Sequence, residues 1–145
     1  ANLRRLGISY SLNFIFGWEG ETESVFRATL AFLQEHKVPV AYFNILTPVK
    51  GTPLYDRLDA AGRILNRHEL DRWPGQICSI QPPYGTPASL ENNVRDLYKD
   101  FYSLSSMLSR LPLPITQANI ASWIINFSQR RMARSERVEN NFDGY

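Results

Sequence analysis

Phe14-Ile15-Phe16-Gly17-Trp18-Glu19-Gly20-Glu21-Thr22 closes an alternating apolar run and opens an amphipathic one. Upstream, Ile8, Tyr10, Leu12, Phe14 and Phe16 recur at period two, and Ile15 adds an apolar residue on the other face. That pattern predicts a strand over Ile8–Phe16, buried on both faces. Downstream, Thr22 is a suitable N-cap, and Glu21 and Glu23 suit the positive end of a helix. Val25, Phe26, Thr29, Leu30, Phe32 and Leu33 then form a stripe at helical spacing. Pro39 stops the helix. A second unit repeats the pattern. Val40–Leu46 reads as a strand, Thr47-Pro48-Val49-Lys50-Gly51 as its loop, and Thr52-Pro53 as a cap followed by a first-turn proline. The helix continues through Leu54, Tyr55, Leu58 and Ala61 to Gly62. Strand, glycine-bearing loop and helix, twice over, is the rhythm of an α/β barrel, where chemistry sits on the loops after the strands.

The rest of the chain carries weaker punctuation. Asn2–Leu6 reads as the end of a helix stopped by Gly7. Residues 63–84 have no clear period and hold Trp73-Pro74-Gly75 and Pro82-Pro83. They predict a loop, with one short strand at Gln76–Ile80. Thr86-Pro87 repeats the cap-and-proline signal. Leu90, Val94, Leu97, Phe101, Leu104, Leu108 and Leu111 follow at alternating spacings of four and three, predicting one long helix with a single buried face. A second helix, about 116–134, is apolar at Ile120, Trp123, Ile124 and Phe127 and runs into Arg130, Arg131, Arg134 and Arg137.

The chain has 145 residues, 43% hydrophobic and 21% charged, with a net charge of +2. This is the balance of a folded domain with a real core. The charge is too small to argue for nucleic acid, and no apolar run reaches the ~18–20 residues that a membrane span requires. The expected compartment is the cytoplasm. Cys78 is the single cysteine, so no internal disulfide and no multi-thiolate metal site is available within the chain.

A strand closing in Phe-x-Gly-x-x-Gly-Glu-Thr, a helix, then Leu46-Thr47-Pro48-Val49-Lys50-Gly51-Thr52-Pro53-Leu54-Tyr55 resembles the downstream half of a radical S-adenosylmethionine barrel. The closest subgroup carries a cobalamin-binding domain upstream, and the match runs from about Leu3 to Leu111. The resemblance implies an α/β fold: the final parallel βα units of a TIM-like partial barrel over 1–85, then a helical C-terminal extension over 86–145. It implies a C-terminal fragment of an iron–sulfur oxidoreductase or transferase that shapes the S-adenosylmethionine and substrate site. The cofactors implied for the parent are S-adenosylmethionine, a [4Fe–4S] cluster and, from the subgroup, cobalamin. The three-cysteine loop that holds the cluster is absent, so the chain alone is expected to be inactive. The alternative is a non-catalytic binding domain on the same scaffold. Expected partners are the remainder of the parent enzyme and a small-molecule substrate, with no nucleic acid and no membrane span. Self-association is expected of the isolated chain, whose strand edges and inner face would be left open.

The resemblance places Ile15, Gly17, Asn44, Leu46 and Thr47 against S-adenosylmethionine, through apolar side chains, main chain and polar groups at the strand ends. Each residue also has a plainer reading. Gly17 and Gly20 suit a tight turn with positive φ, and the loop lacks the lysine and Ser/Thr of a phosphate-binding loop. Thr52 caps its own helix. Val49-Lys50 departs from the small residues usual in the family's second loop, and Lys50 is a plain surface lysine or a carboxylate contact. Trp18, Tyr42, Phe43 and Tyr55 line a site or fill a core. His36 and His68 lack the companions that a metal site or triad needs. No general acid or base stands out.

Overall fold

Two parallel strands and five helices make up the described part of the protein, a computed structural model covering residues 8, 10–65, 77–117 and 119–135. The elements are β1 Ser11–Phe16, α1 Ser24–Glu35, β2 Val40–Ile45, α2 Pro53–Ala60, α3 Pro87–Phe101, α4 Leu104–Arg110 and α5 Ile120–Arg134. The helix end expected at Asn2–Leu6, His68, Trp73-Pro74-Gly75 and Arg137 lie outside the described residues.

β1 and β2 pair in parallel, from Ser11 opposite Val40 to Phe16 opposite Ile45. The ladder extends one step further where the Leu46 amide donates to the Phe16 carbonyl at 2.8 Å. The crossover between the strands is α1, as parallel pairing requires. Leu12, Phe14 and Phe16 pair with Ala41, Phe43 and Ile45 on one face, which turns into the core. Phe16 packs on Phe26 of α1 at 4.6 Å between ring centroids. The other face carries Ser11, Asn13 and Ile15 of β1, all exposed. The strand expected to be buried on both faces is therefore buried on one. No helix among the described residues covers the second face.

The helix caps form as the local chemistry dictates. The Tyr55 amide donates to Thr52 Oγ1 at the start of α2, with Pro53 in the first turn. Thr86 and Ser89 exchange hydrogen bonds at the start of α3, each side chain accepting from the other's backbone N–H. Thr22 behaves differently. α1 starts at Ser24, and the Thr22 hydroxyl lies 2.7 Å from Ser24 Oγ rather than on a helix amide. The short strand expected at Gln76–Ile80 reduces, among the described residues, to a single antiparallel bridge between Ile64 and Ile80.

α3 decides the architecture. Its buried stripe, Leu90, Val94, Leu97, Tyr98 and Phe101, packs in the same core as the strands. Phe43 meets Tyr98 and Phe101 edge-on at 4.8 and 5.7 Å. The helix also closes the free edge of β2. The Phe43 amide donates to Tyr98 Oη at 2.9 Å. Tyr102 Oη donates to the Ala41 carbonyl at 2.6 Å and accepts from the Ala41 amide at 3.3 Å. Backbone groups that would bind a further strand are satisfied by phenols instead.

The long helix expected through Leu111 is two helices. Tyr102 ends the first, and Ser103 caps the second by accepting from the Ser106 amide. The break turns Leu104 and Leu108 outward and buries Ser106, Met107 and Arg110. Arg110 is 1% exposed. Its guanidinium lies 3.6 Å from the Phe101 ring centroid and donates to the carbonyls of Val38, Pro39 and Phe101, to Asn126 Oδ1 and to Ser106 Oγ. Burial pushes its pKa down to about 10, which still leaves it charged at neutral pH. Asn126 in turn donates to the Pro39 and Ser122 carbonyls. One buried polar knot thus ties α4 and α5 to the chain entering β2. On α5 the buried residues are Ser122, Trp123 and Asn126, while Ile120, Ile124 and Phe127 face outward.

The fold expectation is corrected accordingly. The described residues form a small α/β unit of two parallel strands and five helices, not the closing units of a TIM-like barrel, whose ring needs eight strands. At the β2 edge, Tyr98 and Tyr102 occupy the hydrogen-bonding positions of a next strand.

Candidate functional site

The chemistry-bearing residues of the two loops meet at the C-terminal ends of the parallel strands, the end at which open α/β sheets bind ligands. Gly17 is buried with φ +106°, a conformation open to glycine and strained for other residues. A Cβ built there would lie 3.4 Å from Leu90 Cδ2 and 3.6 Å from Leu46 Cβ. The position therefore needs glycine for its dihedral, while a Cβ there would make only ordinary van der Waals contact with α3 and the end of β2.

The turn that follows is closed by its own carboxylate. Glu21 Oε2 accepts from the Gly17 amide at 2.8 Å and the Trp18 amide at 3.2 Å. The Glu21 amide donates back to the Trp18 carbonyl. Glu21 thus serves the turn rather than the helix that follows. Its sequence signal was present, an acid four residues after a glycine that leaves a strand. Glu19 is held by Arg63 at 3.0 Å, and Arg63 also donates twice to the Gln81 carbonyl. This fastens the first loop to the Ile64–Ile80 bridge.

The five residues expected at the site separate into layers. Ile15 and Asn44 are cross-strand partners on the open face, Ile15 47% exposed and Asn44 half-buried. Asn13 and Tyr42 lie opposite each other one step back on the same face. Gly17 and Leu46 sit behind them, buried, and present backbone. Thr47 is half-buried, and its hydroxyl donates to the Ile45 carbonyl at 3.2 Å. The open face therefore offers an apolar side chain, two amides and a phenol at the strand ends.

Other candidates fall away from this face. Phe43 is core. Lys50 is exposed. His36 is exposed, stacks on Phe32 and has its Nδ1 3.0 Å from the Phe32 carbonyl. Cys78 is a free, buried thiol whose Sγ donates to the Ile80 carbonyl, and burial pushes its pKa up. Tyr84 escaped the sequence reading. Its hydroxyl is buried without a hydrogen-bond partner. Burial pushes its pKa up to about 12, with the Glu21 and Glu23 carboxylates adding in the same direction. Among the described residues no group of three or more His, Cys, Asp or Glu side chains is placed to hold a metal ion. No helix there is long and apolar enough to cross a membrane.

No family model matches the chain, and no solved structure matches it. Among curated proteins, the chain is 26% identical over 136 residues to the bacteriochlorophyllide d C-12(1)-methyltransferase of Chlorobaculum tepidum. The alignment covers 92% of this chain and 28% of that relative, so the chain spans well under a third of the relative's length.

These findings correct the functional expectation. The relative is named for methyl transfer, and the described residues form a two-stranded unit. The reading as a C-terminal fragment of a radical S-adenosylmethionine iron–sulfur oxidoreductase or transferase is overturned by that likeness. Neither the relative's name nor a ligand group among the described residues supports the [4Fe–4S] cluster or cobalamin. Likeness to a protein named as an enzyme does not favour the non-catalytic alternative either.

Proposed function

We propose that this chain is part of a methyltransferase that uses S-adenosylmethionine, and that its strand-end face contributes to the site. The observation that carries the reading is the likeness to a named methyltransferase along 92% of the chain. The face at the ends of β1 and β2 supports it. S-adenosylmethionine would supply the methyl group.

In this reading Ile15 gives apolar contact to the adenosine part, and the Asn44 amide hydrogen-bonds a ring nitrogen or ribose hydroxyl. Gly17 and Leu46 set the backbone behind that contact. Thr47 orients the second loop through its bond to the Ile45 carbonyl. The acceptor is a small molecule, and the rest of a longer enzyme completes its site. The relative's named substrate, a bacteriochlorophyllide, makes a tetrapyrrole the first acceptor to try. The edge of β1 that no strand pairs among the described residues, with exposed Ile15, supports self-association of the isolated chain by strand pairing, which light scattering would detect. The free thiol of Cys78 supports a cytoplasmic, reducing compartment.

Equilibrium dialysis of the full chain with methyl-labelled S-adenosylmethionine tests the proposal. Saturable binding is expected. Asn44→Ala should weaken it by up to about tenfold, the worth of one hydrogen bond. Ile15→Asp should weaken it further, while the melting temperature stays near that of the parent. No saturable binding, or binding indifferent to both substitutions, would sink the assignment.

A further inference from the structure

We propose that the α4–α5 region docks on an anionic bilayer surface, as a peripheral contact rather than a span. The proposal stands apart from the methyltransferase reading and uses none of the strand-end residues. Eight of the fourteen large apolar side chains exposed among the described residues fall between Leu104 and Met132. On α5, Ile120, Ile124 and Phe127 recur at spacings of four and three, so they share the outward stripe. Leu113 and Ile115 are exposed just before it. Their loop is held against the start of α5, where Trp123 Nε1 and Asn119 Nδ2 donate to the Pro112 carbonyl.

Charge selects the occupant. Residues 104–139 contain five arginines and two glutamates, Glu136 and Glu139, a net charge of +3. Arg110 is buried in the polar knot, and Arg130 donates to the Tyr102 carbonyl. Arg131 and Arg134 are exposed. At 100° per residue they continue the line of Ile120, Ile124 and Phe127 toward the C-terminal end of the helix. An apolar stripe that ends in arginines is the pattern of a helix lying in a lipid headgroup region. A second copy fits less well, because the same stretch of the copy carries the same net positive charge.

Flotation with phosphatidylcholine vesicles, with and without phosphatidylglycerol, tests the proposal. The full chain should float with the anionic vesicles and stay behind with the neutral ones. Added salt should weaken the binding. Ile124→Ser with Phe127→Ser should abolish flotation. Arg131→Ser with Arg134→Ser should weaken it by about fivefold per arginine removed. All four side chains point outward, so both variants should keep the parent's circular dichroism and melting temperature. Equal binding to neutral vesicles, or no flotation at all, overturns the proposal. So does a dimer that Ile124→Ser with Phe127→Ser converts to a monomer, since a second copy then covers the stripe.

Discussion

Tyr98 and Tyr102 do for β2 what a neighbouring strand does in a wider sheet. Their hydroxyls take up the outward Ala41 and Phe43 backbone groups within a buried aromatic cluster. Loss of such a partner leaves buried backbone unsatisfied, whereas loss of a hydroxyl that has no partner does not. Tyr102→Phe should therefore cost about 1–3 kcal/mol. Tyr84→Phe should be neutral or stabilising by up to ~1 kcal/mol, since its buried hydroxyl has no hydrogen-bond partner to lose. Urea denaturation checks both, read as a shift of midpoint at constant slope. Equal losses for the two variants would show that Tyr102 does not close the edge.

Among the elements, α4 departs furthest from its sequence pattern. The 4-3 spacing runs unbroken from Leu90 to Leu111, yet Ser103 restarts the helix and rotates the buried face onto Met107 and Arg110. Leu104 is 49% exposed. Leu104→Ala should thus change stability by no more than ~0.5 kcal/mol. Met107→Ala, at a fully buried site, should cost ~2–5 kcal/mol. Arg110→Ala should cost about 3 kcal/mol or more, because it strips donors from the buried Val38 and Phe101 carbonyls and from Asn126 at once. Thermal melts of the three variants rank them. A melt in which Leu104→Ala falls as far as Met107→Ala would restore the single long helix.

For the whole molecule, the buried phenols give stability a sign at high pH. Burial raises the Tyr102 pKa above its usual value, and Tyr84 is pushed up to about 12. An unfolded phenol titrates near ~10. Above that pH the folded protein holds more protons than the unfolded chain, so stability falls as pH rises. The contribution is complete below ~10 and is lost as the pH passes through the folded values. Denaturation midpoints measured from pH 9 to 12 should decline, and Tyr84→Phe should flatten the decline. A midpoint that stays level or rises over that range, with no difference for Tyr84→Phe, would contradict the burial of these rings.

Local chemistry determined the parts that short-range physics controls. Thr52-Pro53 and Thr86-Pro87 start helices because a hydroxyl acceptor and a fixed φ act within one turn. Gly17 leaves the first strand with positive φ. Apolar alternation marked β1 and a short apolar run marked β2, and a helical crossover between them makes their parallel pairing the natural one. Ile15 with Asn44, and Gly17 with Leu46, came together at the strand ends because strands in parallel register end together. Packing decided the rest. Among the described residues one face of β1 stays open, and no sequence period tells a covered face from an uncovered one. The edge of β2 is closed by phenols 55 and 61 residues away in the chain. Arg110 reads as a surface charge until backbone carbonyls from two separate segments and the Asn126 amide surround it. Ile120, Ile124 and Phe127 read as a buried stripe, yet Ser122, Trp123 and Asn126 turn inward, where the Asn126 amide joins the Arg110 knot. Hydrogen-bond satisfaction of buried polar groups is a long-range condition, and it set which face of each C-terminal helix the protein buries.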